Sequence, residues 1–145
     1  MIWRKVFRII PVPIFITDTC VNHAGKNCGI WIAIKPKYAT DRTSLSALIE
    51  HELVHSKQFY RTLGFHSILY WLSAKYRLKA ELEAYKETIR VYKYNRKADT
   101  MWIATSLYKH YNLEKDYHYN EILERVYKIF EEVQDESRNK ERYLN

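Results

Sequence analysis

Residues 43–63 read TSLSALIEHELVHSKQFYRTL, and this stretch decides the fold. It contains neither glycine nor proline, and its apolar residues recur at helical spacing, which predicts one long helix. Apolar side chains cover most of the circumference of that helix: Leu45, Leu48, Ile49, Leu53, Val54, Phe59 and Tyr60. Ser46, Glu50 and Lys57 leave only a narrow polar strip, so we expect neighbouring elements to enclose the helix.

The chain before this helix predicts a small β-sheet. Three segments are rich in Ile, Val, Phe and Trp, namely residues 2–10, 14–18 and 29–35. Pro11, Pro13 and Pro36, together with segment 22–27, are interpreted as breaks between strands. The apolar residues of the third segment are nearly continuous, as in a strand that helices cover on at least one face.

Beyond Pro36 the chain contains no proline and a single glycine, Gly64, so long helices are unobstructed. Gly64 is the expected end of the first helix. Further helices are predicted over residues 67–95, 99–111 and 119–136, with a frayed tail over 137–145. The expected fold class is α+β, with one domain over 1–145 that divides into a sheet region (1–40), a packed helix pair (43–95) and covering helices (99–136).

The composition excludes several classes of protein. With 145 residues, 47% of them hydrophobic, and only 3 Gly and 3 Pro, the chain is neither disordered nor collagen-like and can build its own core. Two cysteines, Cys20 and Cys28, are too few for a disulfide scaffold, although one bridge between them is left open. No apolar run reaches the length of a membrane span, and Arg8, Pro11 and Pro13 interrupt any signal-peptide core. We therefore expect a cytoplasmic protein without a signal peptide or transmembrane segment.

The net charge of +7 is compatible with an anionic partner, either a nucleic acid or a membrane surface, and the alternative is a solvated basic face. The excess of basic residues lies in the first hundred positions, and no nucleic-acid motif accompanies it. The aromatic residues could stack on bases, but most recur at helical spacing and are expected to pack between helices: Tyr70, Trp71, Tyr92, Trp102, Tyr108, Tyr127 and Phe130.

The first helix carries the motif His51-Glu52-Leu53-Val54-His55, an H-E-x-x-H pattern. Residues four apart on a helix lie nearly above one another, so the two imidazoles can converge on a single ion. Glu52 borders the same site, where a carboxylate can accept a proton from water that a zinc ion has made more acidic. The alternative is a helix with two hydrogen-bonded core histidines.

A catalytic zinc site needs a third protein ligand. The candidates downstream are His66, Glu81, Glu83, Glu87, His110 and His118. Glu81 lies on a largely apolar stripe that includes Tyr70, Ala74 and Thr88, whereas charged residues surround Glu83. We therefore predict that Glu81 points inward and completes the site, and that Glu83 belongs to a salt-bridged surface. A second metal site at Cys20, His23 and Cys28 is a weaker alternative, because its spacing matches no common zinc pattern.

The pairing of His51-Glu52-Leu53-Val54-His55 with Glu81-Leu82-Glu83-Ala84-Tyr85 resembles the gluzincin group of zinc metallopeptidases, in particular small peptidases of bacteria and bacteriophages. The resemblance covers roughly residues 29–85. It implies a zincin-like fold, one Zn²⁺ held by His51, His55 and Glu81, and Glu52 as general base. Tyr85 departs from the pattern, since a carboxylate or amide often supports a ligand histidine at that position.

The resemblance also implies a peptide or protein substrate, aligned by an edge strand that segment 29–35 would provide; an ordinary internal strand is the alternative. Candidate oxyanion donors are Tyr85, Arg77, His110 and His118. The leading hypothesis is a zinc-dependent peptidase. The alternative is a basic helical effector that binds nucleic acid or protein and whose zinc site is structural or vestigial. The sequence does not predict the oligomeric state.

Overall fold

The computed structural model describes residues 1–19, 24–92 and 97–144. Over these residues the fold is α+β, with a four-stranded N-terminal sheet followed by five α-helices, so the predicted class is confirmed. The strands are β1 (Ile2–Val6), β2 (Ile10–Ile16), β3 (Gly25–Asn27) and β4 (Ile32–Ile34). The helices are α1 (Arg42–Arg61), α2 (His66–Leu72), α3 (Ala74–Tyr92), α4 (Lys97–His110) and α5 (Tyr119–Leu144). Cys20 and His23, which the weaker metal-site hypothesis needs, lie outside the described residues.

The sheet has the order β1-β2-β4-β3. Strand β1 pairs antiparallel with β2, β2 pairs parallel with β4, and β3 pairs antiparallel with β4. One face of the sheet packs on α1 and forms the first hydrophobic core: Val6, Val12, Ile14, Ile32, Ile34, Ile49 and Leu53. In the strand order given above, β3 is an edge strand and β4 is internal.

The predicted strand boundaries need three corrections. The single strand expected over 2–10 is a hairpin, because Phe7 and Arg8 adopt φ values of 50° and 65° and reverse the chain. Pro11 and Pro13 lie within β2 instead of breaking it. A proline is tolerated there because β4 pairs with β2 only from Ile14 onward, so most of the proline-containing stretch has one neighbouring strand.

The third correction concerns β3 and β4. Segment 22–27 contains strand β3, whose sequence Gly-Lys-Asn has low strand propensity and forms only because β4 offers it a partner. The strand expected over 29–35 is limited to Ile32–Ile34. Gly29, at φ +82°, belongs to the preceding turn, where a Cβ would come within 2.5 Å of the Phe59 ring.

Helix α1 follows the prediction closely. Asp41 caps its N-terminus by accepting a hydrogen bond from the Ser44 amide at 2.8 Å. Gly64, at φ +89°, donates its amide to the Phe59 carbonyl at 2.8 Å and closes the C-terminal turn, as predicted. The helix is enclosed from residue 51 to residue 56.

The helix expected over 67–95 is two helices, so the predicted number of four is wrong. Ser73 leaves the helical region, with φ −126° and ψ 108°. Its hydroxyl accepts a hydrogen bond from the Tyr76 amide at 3.1 Å and starts α3. The break turns α2 against the site while α3 packs along α1.

Helices α4 and α5 cover α3 and form a second core with it: Leu78, Tyr85, Ile89, Ile103, Ala104, Leu107, Leu113, Ile122, Val126, Phe130 and Val133. The start of α5 at Tyr119 agrees with the prediction, but the helix continues to Leu144. The helix therefore extends past its predicted end at residue 136, through a segment that lacks glycine and proline and is rich in good helix formers such as Glu, Lys and Arg. The fraying expected over 137–145 stays a prediction.

Two surface findings matter for function. None of the helices among the described residues is long and apolar enough to cross a membrane. Two aromatic residues that were expected to pack between helices are instead exposed: Trp71 is 79% accessible and Trp102 is 58% accessible. Helical spacing alone misplaced Trp71, because no element of the described chain covers that side of α2. The Trp102 ring packs edge-on against Tyr85 of α3, with centroids 6.4 Å apart, but most of its surface stays exposed.

Candidate metal centre

Helices α1 and α3 bring together His51, His55 and Glu81, the three residues predicted from spacing. One ligand atom from each lies within 4.8 Å of the others. The Nε2 atom of His55 is 3.3 Å from Glu81 Oε1, and that of His51 is 3.6 Å from Glu81 Oε2. All three residues are buried, and Glu81 is only 2% accessible. Glu81 points inward, as predicted.

Both imidazoles are oriented through their other ring nitrogen. His51 Nδ1 lies 3.2 Å from the Thr88 hydroxyl, and His55 Nδ1 lies 2.9 Å from Gln58 Oε1. An amide oxygen can only accept, so His55 Nδ1 is the donor in this contact. The contact leaves Nε2 as the ring nitrogen that faces Glu81, which is the nitrogen that a metal ion would take.

The Glu81 carboxylate is held on one side and open on the other. The Tyr70 hydroxyl donates a hydrogen bond to Glu81 Oε1 at 2.6 Å. Oε2 is buried and accepts no hydrogen bond from any residue in the described ranges. Burial disfavours the carboxylate, but His55, His51 and the Tyr70 hydrogen bond outweigh it and lower the pKa of Glu81 to about 2. The group is therefore ionised, and one of its oxygens lacks a protein donor.

These residues fit a zinc ion. Two imidazole nitrogens and a carboxylate oxygen are a common donor set for catalytic zinc. Each histidine nitrogen lies close to one Glu81 oxygen, His55 to Oε1 at 3.3 Å and His51 to Oε2 at 3.6 Å. One ligand atom from each of the three residues lies within 4.8 Å of the others, so small shifts of the side chains would bring all three donors onto one ion. A cation would also satisfy the buried Oε2 atom of Glu81.

Glu52 lies beside this group and against the edge strand β3. A Cβ on Gly25 would come within 2.5 Å of Glu52 Oε1, so the missing side chain leaves room for the carboxylate. Asn27 fixes β3 to the helix by donating to the Glu52 carbonyl at 2.6 Å and to the Ser56 hydroxyl at 2.8 Å. Burial raises the pKa of Glu52 to about 7. The nearby Glu81 carboxylate also raises this pKa, whereas His55 lowers it. Both protonation states are therefore accessible near neutral pH.

The other sequence candidates occupy different places. Glu83 accepts a hydrogen bond from Arg61 at 2.8 Å on the surface, as predicted, and Glu87 pairs with Arg90. His110 and His118 are exposed. His66 is buried beside His55, with ring centroids 5.6 Å apart, but its Nδ1 is 2.9 Å from the Tyr76 hydroxyl and it does not join the cluster.

Tyr85 and Arg77 flank the site without facing its centre. The Tyr85 ring packs edge-on against His51 with centroids 4.9 Å apart, and its hydroxyl lies 3.2 Å from Ser106 Oγ. Arg77 donates from Nη1 to the Tyr70 carbonyl at 2.9 Å. These contacts support the surroundings of the ligands; the oxyanion role proposed for either residue stays a prediction.

Sequence reasoning did not assign roles to Gln58, Thr88 and Tyr70, although each of them contacts one of the three candidate ligands. The signal was present for two of them. Gln58 follows His55 by three residues and therefore shares its helical face, and Thr88 lies seven residues after Glu81 on the same stripe. Tyr70 belongs to α2, and only the break at Ser73 turns its hydroxyl onto Glu81.

No protein-family model, curated protein or solved structure matches this chain. The chemistry of the site must therefore be judged from the side chains themselves.

Proposed function

We propose that this protein is a zinc-dependent metallopeptidase of the zincin type, with His51, His55 and Glu81 as zinc ligands and Glu52 as general base. The observation that carries the proposal is the convergence of two oriented imidazoles and an ionised, partly unsatisfied carboxylate beside a second buried carboxylate. The resemblance of the H-E-x-x-H and Glu81 motifs to gluzincins agrees with this assignment.

Zinc bound by these ligands would polarise the scissile carbonyl and make a water molecule acidic enough to attack it at neutral pH. The chain's own residues prepare the remaining steps. Thr88 and Gln58 hold the imidazoles in position, and Tyr70 holds the Glu81 carboxylate. Glu52 accepts the proton of the attacking water and returns it to the leaving amine, a cycle that suits a pKa near neutrality.

The resemblance assigned substrate alignment to segment 29–35 as an edge strand, but its strand β4 is internal, so the substrate is proposed to align along β3 instead. Strand β3 is an edge of the sheet, so among the described residues one side of its backbone is not paired with another strand. Gly25 on this strand also lies against the Glu52 carboxylate. An extended peptide added to β3 would therefore place its backbone close to the proposed base.

Zinc content and peptide hydrolysis, measured on the same preparations, test the proposal. We expect about one zinc per chain in the wild type and loss of most of it in Glu81→Gln, because two imidazoles alone hold zinc poorly. Glu87→Gln is the matched control, since Glu87 is on the same helix but pairs with Arg90. Equal zinc loss in both variants would remove the basis for Glu81 as a ligand.

Glu52→Gln separates catalysis from metal binding. We expect it to keep its zinc and to hydrolyse a quenched-fluorescence peptide library about 10²–10⁴-fold more slowly than the wild type. A wild-type protein that binds zinc but cleaves no peptide at a rate above that of Glu52→Gln would contradict the proposal. That result would favour the alternative of a structural zinc site in a binding module.

A further inference from the structure

Helix α2 and the turn before it carry a group of large apolar side chains that the fold does not bury. We call this group the α2 patch: Leu63, Phe65, Ile68, Leu69, Trp71 and Leu72. Leu63 is 87% accessible, Trp71 is 79% and Leu72 is 67%. Scattered exposed apolar residues are ordinary, but six within ten consecutive positions form a feature that needs a cause.

Only His66 and Tyr70 of α2 are covered, and its other residues are exposed. His66 and Tyr70, four residues apart, face inward, where His66 packs beside His55 and Tyr70 bonds to Glu81. Ile68, Trp71 and Leu72 lie on the opposite arc of the helix and point outward. One short helix therefore joins the candidate metal centre to the apolar outer surface.

Leu63 shows that the patch does not arise from the needs of the fold. Its φ of +51° lies in the left-handed region, which leucine adopts only at a cost in free energy. A glycine or asparagine would satisfy that turn better, and the exposed leucine side chain gains no burial in return. The side chain therefore gains little within the folded chain.

The segment of sequence that carries the patch contains basic residues and no acidic ones. Between Glu52 and Glu81 the chain has five basic residues and no acidic one: Lys57, Arg61, Lys75, Arg77 and Lys79. Arg61 is neutralised by Glu83 at 2.8 Å. Lys75 and Lys79, at the start of α3 directly after the patch, are exposed. An apolar surface with a tryptophan and flanking lysines is the pattern of elements that lie in a lipid headgroup region.

The shape of the patch favours a lipid surface over a protein partner. Side chains that are more than half exposed project from the surface and do not line a groove, so a protein would need a pocket for each of them. A lipid interface accepts projecting side chains without complementary pockets, and anionic headgroups complement the lysines. We propose that the α2 patch docks this protein on an anionic membrane surface, with Trp71, Leu72 and Leu63 inserted among the acyl chains and Lys75 and Lys79 at the headgroups.

The docking does not depend on zinc or on hydrolysis, so it can be tested by itself. The full chain is sedimented with phosphatidylcholine vesicles that contain either no phosphatidylserine or about 30% of it. We expect binding to the anionic vesicles that weakens when ionic strength rises from about 0.1 M to 0.5 M. The double variant Trp71→Ser/Leu72→Ser should bind at least about tenfold more weakly.

Two further variants separate the apolar contribution to vesicle binding from the electrostatic one. The first is also chosen so that a loss of binding cannot be caused by misfolding. Leu63→Asn removes an apolar side chain while it suits the left-handed backbone, so it should fold at least as well as the wild type and still bind several-fold more weakly. The double variant Lys75→Gln/Lys79→Gln should bind anionic vesicles at least about tenfold more weakly than the wild type. Any binding to neutral vesicles should be unchanged.

The matched control is Trp102→Ser, which removes an exposed tryptophan from α4 and should change vesicle binding by less than about twofold. The proposal is overturned if the wild type does not bind anionic vesicles. It is equally overturned if Trp71→Ser/Leu72→Ser and Leu63→Asn bind these vesicles as tightly as the wild type. It is also overturned if the patch mediates self-association of the chain, or binding to a protein, without any affinity for lipid.

Discussion

The Glu52 carboxylate occupies space that position 25 leaves free only because its residue is glycine. A Cβ there would lie 2.5 Å from Glu52 Oε1, and the flexible carboxylate would have to move. We predict that Gly25→Ala lowers peptide hydrolysis at least about tenfold, since a shift of about 1 Å in a reacting group can cost a hundredfold. Zinc content should stay unchanged. Lys5→Ala, at an exposed position on β1, is the control and should retain activity. Equal rates in both variants would contradict the placement of Glu52.

The contact between Thr88 and His51 makes a second prediction at this scale. Thr88→Val keeps the shape of the side chain but removes the oxygen that lies 3.2 Å from His51 Nδ1. Loss of such a contact to a ligand histidine typically weakens metal binding about 10–100-fold, and we expect that range in a chelator competition titration. Thr105→Val on α4, which removes a comparable hydroxyl near Tyr119, should bind zinc like the wild type. An unchanged affinity in Thr88→Val would show that the ring is oriented by packing alone.

The candidate ligands could be predicted from the sequence because helix geometry is local. The spacing of His51 and His55 depends only on the 3.6-residue turn, and the contrast between Glu81 and Glu83 depends only on which stripe each occupies. No comparable rule predicts which side chain would act as an oxyanion donor. Their suitability depends on where a hydroxyl or guanidinium points, and the structure turns the Tyr85 hydroxyl toward Ser106.

Among the elements, the break between α2 and α3 depends on a single cap. The Ser73 hydroxyl accepts the Tyr76 amide at 3.1 Å. We predict that Ser73→Ala lowers the free energy of unfolding by about 1 kcal/mol, measured by urea denaturation. Ser73→Asp should keep most of the stability because its carboxylate can accept the same hydrogen bond. Ser67→Ala, at an exposed position on α2, is expected to have little effect, and an equal loss there would argue against the cap.

The elements whose boundaries were wrong share one cause, which is competition between local preference and a neighbour in space. Gly25–Asn27 has poor strand propensity but pairs with β4. Ala74 and its neighbours could have continued the preceding helix, yet the break lets Tyr70 reach Glu81 while α3 packs along α1. Propensity therefore predicted the long helices well and the short connecting elements poorly.

On the scale of the whole molecule, ion pairs tie α5 to α3 behind the candidate site. Glu136 pairs with Arg90 and lies 3.2 Å from Lys86 Nζ, which also pairs with Glu132 at 2.6 Å. The Arg90 hydrogen bond, with that of Lys86, lowers the pKa of Glu136 below its ordinary value of 4.5. Folding therefore favours the ionised form, and the stabilisation is present above about pH 4.5 and disappears as the pH falls through the lower folded-state pKa.

We predict that Glu136→Gln lowers the free energy of unfolding at pH 7 by less than about 1 kcal/mol, because exposed pairs are screened by solvent. The difference from the wild type should shrink as the pH falls below about 4.5 and as salt is added. Asp135→Asn is the matched control, since Asp135 pairs only with Arg138 on its own helix among the ion pairs of the described residues. A difference between wild type and Glu136→Gln that grows toward acidic pH would contradict this account.

The sequence by itself determined the α+β class, the long helices, and the face of each helix that carries the histidines and Glu81. These features follow from the period of the helix and from the cost of exposing apolar or burying charged side chains, and both act over a few residues. Only the tertiary structure decided that β3 is the edge strand, that Tyr70 reaches Glu81, and that Trp71 is exposed. Those outcomes depend on which elements become neighbours, and that is decided by packing between residues far apart in the chain.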